Sequence, residues 1–271
     1  MSMDDQQLHG ELEKSYREVI ERHRFWLAEY PKAHGERWEQ MLKADLEAAL
    51  VEAGVCDFLR HSVDVVEPNE DPSHGGPDLR CQKNGQRFYV ETTCIKIDAA
   101  TQESKMSHDG GESGSLKPLT RLIRNEASGK TAQCGKVSDA ACLLAIGTVH
   151  LMASCWCFER NYVEMVLTSQ PAITSAYDRA RGEAVGEMYL STNLENSAFI
   201  RKSKAEDELV ETARRTISGL LLCGLGERPP TIRGVLHVDA VRPFARRLLP
   251  NVEFCRLREG YSTGTLQPEW V

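Results

Sequence analysis

The sequence predicts an α/β fold, a mixed β-sheet flanked by helices behind an N-terminal helical extension. Three observations predict it. Helical periods fill the first fifty residues, alternating β-branched segments follow, and a later helical stretch leads into a wholly apolar run suited to a buried strand. With 271 residues, 41% of them hydrophobic, the chain can bury a real core. No Pro/Gly/Ser-rich linker divides it, so residues 1–36 read as the extension and 37–271 as one domain.

Each element has its own signal. Between Glu11 and Tyr30, the positions Leu12, Tyr16, Val19, Ile20, His23 and Leu27 keep a helical period, and Pro31 ends it. Trp38, Met41, Leu42, Leu46, Ala49, Leu50 and Ala53 mark a second amphipathic helix, closed by Gly54. Phe58–Val66 alternates and reads as a strand. Asp78–Gln82 and Gln86–Lys96 read as two more, joined by a tight turn at Lys83-Asn84-Gly85. The Gly- and Ser-rich stretch from Lys105 to Ser115 is expected to be a loop. A helix over Leu116–Gln133 and a strand over Ala140–Gly147 come next. Further on, 159–168 reads as a strand, Ala172–Arg181 as a short helix, Ala205–Cys223 as a longer one, and Ile232–Val238 as a strand.

Composition excludes several classes. The longest apolar run, near Leu220–Cys223, falls far short of the ~20 residues of a membrane helix. The acidic, polar N-terminus is unlike a secretory signal or transit peptide, so a cytoplasmic protein without membrane association is expected. Nine scattered cysteines then read as reduced core thiols; Cys155, Cys157 and His150 lack the second pair a zinc finger needs. The formal charge of −7 argues against strong non-specific nucleic-acid binding, and the basic clusters at Arg201–Lys204, Arg214-Arg215 and Arg246-Arg247 read as solvated helix faces.

The most informative stretch is Gly75-Gly76-Pro77-Asp78-Leu79-Arg80, with twelve residues between Asp78 and Glu91, which lies within Val90-Glu91-Thr92-Thr93. One carboxylate starts a strand; the other lies inside the apolar next strand, where an unpaired charge would cost several kcal/mol. Antiparallel pairing brings the two onto one face. Held close, they repel unless a cation sits between them, and oxygen-only clusters of this kind select Mg²⁺ or Mn²⁺.

This order of helix, strand, Pro-Asp strand, glutamate strand, helix and strand resembles the PD-(D/E)XK nuclease superfamily, with its restriction-endonuclease-like fold, over residues 38–150. The resemblance implies a metal-dependent nuclease in which Asp78 and Glu91 ligate Mg²⁺ (or Mn²⁺), with the Thr93 carbonyl assisting, and activate water against a phosphodiester of nucleic acid, DNA first. A helix acid often joins the set. Asp45 is preferred and Glu39 stays open, while Glu47 falls on the solvent face opposite the apolar stripe. The family lysine would stand at Thr93. Lys96 is set aside, being on the other strand face and about 17 Å along it from Glu91. Lys130, with Gln133 on the same helix face, is similar to an arrangement in relatives that carry the lysine on another element; its alternative is a solvated helix residue. Arg121 and Arg124 of that helix would neutralise flanking phosphates. His74, His108 and Asp109 are left as solvated loop residues. The competing class is a non-catalytic nucleic-acid-binding or assembly protein that keeps the fold; Thr93 and the net charge favour it, and retention of both carboxylates opposes it. Self-association is left open.

Overall fold

Helix α1 (Asp5–Leu27) lays Leu12, Tyr16, Ile20 and Trp26 against the domain, and the Tyr16 hydroxyl donates to the Leu225 carbonyl at 2.6 Å. The single helix expected over Trp38–Ala53 is two: α2 (Lys32–Ala44) and α3 (Leu46–Ser62). Asp45 breaks them apart with a non-helical backbone and caps α3 by accepting from the Ala48 N–H at 3.0 Å. Gly54 does not close the helix. It sits mid-α3 where a Cβ would come within 2.9 Å of Leu225, so it is a point of close packing. The helix runs on through Phe58, which overturns the strand expected over Phe58–Val66; only β1 (Val65–Pro68) remains of it.

The computed structural model describes residues 5–69, 75–108, 114–115, 117–157, 159–169, 171–178, 180, 183–192, 194–204, 210–226, 229–258 and 266–271. His74 and Asp109 lie outside this set. After β1 come β2 (Leu79–Lys83) and β3 (Gln86–Cys94), α4 (Ile97–Ser104), α5 (Lys117–Gly135), β4 (Ala141–Thr148), α6 (Leu151–Cys157) and α7 (Arg160–Thr168). Asn84 and Gly85 both have positive φ, the signature of a two-residue hairpin turn, and Lys83 pairs with Gln86. The second half then runs β5 (Pro171–Asp178), β6 (Glu183–Thr192), β7 (Ile200–Lys202), β8 (Val210–Thr212), β9 (Gly219–Gly224), β10 (Thr231–Leu236), β11 (Glu253–Leu257) and β12 (Pro268–Trp270).

Three expectations fail here. Residues 159–168 form a helix, because Val163, Val166 and Leu167 share one buried stripe. The segment read as a short helix at Ala172–Arg181 is strand β5 as far as Asp178; residues 179 and 181 lie outside the described set. The helix expected over Ala205–Cys223 is replaced, among its described residues, by β8 and β9; residues 205–209 lie outside the described set. A buried central strand is apolar on both faces, so Leu220-Leu221-Leu222-Cys223 also satisfies a helical stripe.

Eight strands form one mixed sheet in the order β1-β2-β3-β4-β9-β10-β11-β12. β3, β4 and β9 are parallel neighbours, while β2 runs antiparallel to β3. On one face, α1–α3 pack Leu50, Val55 and Trp38 against Phe88, Val90, Leu143 and Leu221. On the other, α5 and α7 pack Ile123, Ala127 and Val166 against Tyr89, Leu144, Ile146 and Leu220. The expected α/β class, a mixed sheet flanked by helices with helices leading at the N-terminus, is what the chain adopts. Among the described residues, no helix is long and apolar enough to cross a membrane.

Candidate active site

The β2–β3 register pairs Leu79 with Val90 and Arg80 with Tyr89. Asp78 lies just before that register begins, and it lines the same cavity as Glu91. Glu91 is only 1% exposed, in an interior strand beside Leu144 of β4. Asp78 stands one residue before β2, where Oδ2 accepts from the Thr92 N–H (2.7 Å) and the Thr92 hydroxyl (2.6 Å).

Side chains supply the cations that two neighbouring carboxylates need. Lys130 reaches down from α5 and places Nζ 2.8 Å from Glu91 Oε1. Arg37 of α2 lies 3.8 Å from Asp78 Oδ1 and 3.3 Å from Glu52 Oε2. Burial pulls the Lys130 ammonium down, but the charge and hydrogen bond of Glu91, with Asp78 and Glu126 behind them, outweigh it and hold its pKa above the ordinary value. Lys130 is therefore a fixed cation at neutral pH. It can stabilise negative charge and cannot serve as a base.

These groups share a cavity of about 290 Å³ whose lining includes Arg37, Asp45, Glu52, Asp78, Glu91, Thr93, Lys96, Lys130 and Gln133. The sequence candidates Asp78, Glu91, Thr93, Lys130, Gln133 and Asp45 thus come together. Thr93, at the lysine position, donates from Oγ1 to Glu126 Oε2 at 2.6 Å. Asp45 is at once the α3 cap and the partner of Lys96.

Other candidates land elsewhere. Glu39 pairs with Arg24 at 2.5 Å and lines a different cavity. Glu47 does not face solvent: its Oε2 accepts from the Ile97 N–H at 2.6 Å, and burial raises its pKa despite that bond. The strand-face argument against Lys96 does not hold. β3 ends at Cys94 and the chain leaves strand geometry, so the alternation argument does not reach residue 96, which lines the same cavity as Glu91. Arg121 pairs with Glu103 at the surface, and Arg124 lines a separate cavity. His108 accepts from the Leu151 N–H and packs on His150. His150 is fully buried, its Nε2 3.2 Å from the Thr101 hydroxyl and its Nδ1 accepting from the Ala153 N–H, so its hydrogen bonding serves the core. The side chains of Cys155 and Cys157, on α6, lie outside the described set.

Sequence reasoning missed Arg37, Glu52 and Glu126. Glu126 had a signal, since Glu126, Lys130 and Gln133 stand at i, i+4 and i+7 of one helix. Glu52 had none, since α3 also exposes Arg60 and His61, and a glutamate on such a helix is ordinary.

Compared with protein-family models, curated proteins and solved structures, the chain gives no significant match.

Proposed function

We propose that the cleft between Asp78 and Glu91 hydrolyses phosphodiester bonds of nucleic acid, DNA first, with a divalent cation, as in the PD-(D/E)XK nucleases the sequence resembles. The observation that carries the reading is Lys130. The strand lacks a lysine at Thr93, and an amine from α5 arrives at Glu91 instead, in a cavity that also holds Asp78 and Gln133.

The donor set is chemically suited to a hard cation, since Asp78, Glu91, Glu52 and Asp45 offer only carboxylate oxygens. Among the described residues no three His, Cys, Asp or Glu groups stand as a ready-made ligand set, so an ion must compete with Lys130 and Arg37 for Asp78 and Glu91. Bound there, Mg²⁺ or Mn²⁺ would supply Lewis acidity toward phosphate and water. Lys130, beside Glu91, is within reach to hold charge developing on a phosphoryl oxygen. Gln133 provides a neutral donor and acceptor beside it, and the Thr93–Glu126 hydrogen bond fixes β3 against α5. On this reading the protein works in the cytoplasm.

The test is cleavage of labelled DNA and RNA with Mg²⁺, with Mn²⁺ and without metal. Metal-dependent cutting is expected. Lys130→Gln should slow it by about 10²–10³-fold, the usual loss for one charge-stabilising donor, while Mg²⁺ binding measured by calorimetry grows no weaker. An unchanged rate would leave Lys130 as the structural partner of Glu91. A wild type that binds no metal would favour the second reading, a non-catalytic assembly or nucleic-acid-binding protein, for which the internal pairing of Glu91 with Lys130 is the supporting observation.

A further inference from the structure

The basic pairs Arg201-Lys202 and Arg214-Arg215 do not lie on helices. Arg201 and Lys202 belong to β7, paired with β8, and Arg214-Arg215 lie in the segment leading from β8 to β9. Both converge on α5, where with Arg124, Ser128 and Thr131 they line a cavity of about 790 Å³. Those three helix positions lie roughly 100–160° around α5 from Lys130 at 3.6 residues per turn, so this cavity is distinct from the cleft.

Its charge is lopsided. Among the described residues, Arg124, Arg201, Lys202, Arg214 and Arg215 line it, against one carboxylate, Glu195. Arg201 is paired with Glu211 and Arg215 with Asp239. Among the described residues Arg214 donates to neutral oxygens, Ser128 Oγ at 3.0 Å and the Ala198 carbonyl at 2.5 Å, and Arg124 donates to the Asn125 side chain at 3.3 Å. Arg214 also holds a left-handed backbone, φ +57°, a conformation disfavoured for a residue with a side chain. Burial, then Arg124 and Arg201, bring its guanidinium pKa down to about 10. Cations gathered in a concavity repel, and a bound anion relieves that repulsion.

We propose that this cavity is a binding site for phosphoryl groups, held by Arg124, Lys202 and Arg214 with Ser128 as a neutral donor. Guanidinium forks match phosphate oxygens two at a time. Ser128 Oγ accepts from Arg214 and keeps its own proton to donate. The phosphates come either from a nucleic-acid backbone or from a free phosphorylated small molecule; the recognising chemistry is the same. The proposal stands independently of the cleft, because binding needs neither cleavage nor a divalent ion.

Calorimetric titration of the full chain with tripolyphosphate, in metal-free buffer at physiological salt, tests it. One molecule should bind per chain. The double variant Arg124→Gln/Lys202→Gln, at the cavity rim, should weaken binding by about tenfold or more, and Arg214→Gln should do so again provided its circular dichroism matches wild type. Competition by a single-stranded oligonucleotide without terminal phosphate would assign the phosphates to a nucleic-acid backbone. Its failure to compete would assign them to a small ligand, and the phosphate class stands either way. Absence of binding, equal affinity in the rim variant, or equal binding of citrate would overturn the proposal.

Discussion

Glu52 is joined to three elements by its neighbours. Arg37 lies at 3.3 Å and continues to Asp78, while His23 of α1 brings Nε2 to 3.9 Å on the other side. His23 is 3% exposed between Trp26 and Trp38, and burial, with Arg60 and Arg37 nearby, lowers its pKa to about 3. The ring is therefore neutral at pH 7, and the contact with Glu52 is not an ion pair there. Folding then releases a proton that the unfolded chain would bind below its own histidine pKa near 6.5. Stability from this group is full above about pH 6.5 and is lost as pH falls toward 3, at up to ~1.4 kcal/mol per pH unit. Denaturant unfolding of wild type at pH 7, 6, 5 and 4.5 should show that fall, and His23→Gln should flatten it by about one proton's share; an unaltered slope would place the acid sensitivity elsewhere. At this scale the sequence was informative where a residue broke a local pattern. Asp78 follows a Gly-Gly-Pro turn, Glu91 interrupts an apolar strand, and Lys130 shares a helix face with Gln133. Arg37 carried no such signal, because an arginine near the start of an amphipathic helix is ordinary, and only the crossing of α2 over the start of β2 gives it Asp78 to face.

The break between α2 and α3 shows how an element boundary changes a site. Read as one helix, Trp38–Ala53 makes Asp45 a mid-helix acid; as two, it makes Asp45 a cap whose carboxylate is already engaged by Ala48 and Lys96. Replacing a capping Asp by Ala costs about 1 kcal/mol, whereas Asn caps nearly as well. Asp45→Ala should therefore lower the unfolding free energy by about that amount, and Asp45→Asn should lose much less. Equal losses would point to charge, not capping, as what Asp45 contributes. Measured Mg²⁺ affinity in Asp45→Asn separates the ligand role from the structural one. Elements were legible where length and turn chemistry agreed, as in the β2–Asn84-Gly85–β3 hairpin and in α5. They were illegible where short apolar runs suit both periods. Val163, Val166 and Leu167 fit a strand in isolation and form a helix because α7 packs on α5 and β11. Leu220–Cys223 fit a helix and form a strand because β4 and β10 pair on either side.

For the whole molecule, the net charge of −7 hides two opposed surfaces, an acid-lined cleft on one flank of α5 and an arginine-rich cavity on another. A divalent ion would enter only the first, and only in the folded state, because the unfolded chain does not hold Asp78 and Glu91 in one cavity. Linkage then gives a stabilisation of about 2.7 kcal/mol at a hundredfold excess over Kd. At 2–4 °C per kcal/mol, typical near this size, that raises Tm by roughly 5–10 °C. Sodium chloride at matched ionic strength should give a smaller shift, since screening of surface charge does not depend on this cleft. Asp78→Ala and Glu91→Ala should abolish the divalent effect. Two bare carboxylates would make these variants more stable without metal, by relieving repulsion, but Arg37 and Lys130 already neutralise them. Removing Glu91 strands the half-buried Lys130, and removing Asp78 takes the acceptor from the Thr92 N–H and hydroxyl, so both variants should melt below wild type in metal-free buffer. Thermal scans of the three proteins with and without Mg²⁺ therefore carry two independent signs. A rise in wild type that vanishes in both variants supports the metal site; a rise that persists in them belongs to the acidic surface; and no rise at all leaves the cleft's carboxylates neutralised by Lys130, Arg37 and Lys96, which is the behaviour of a non-catalytic protein.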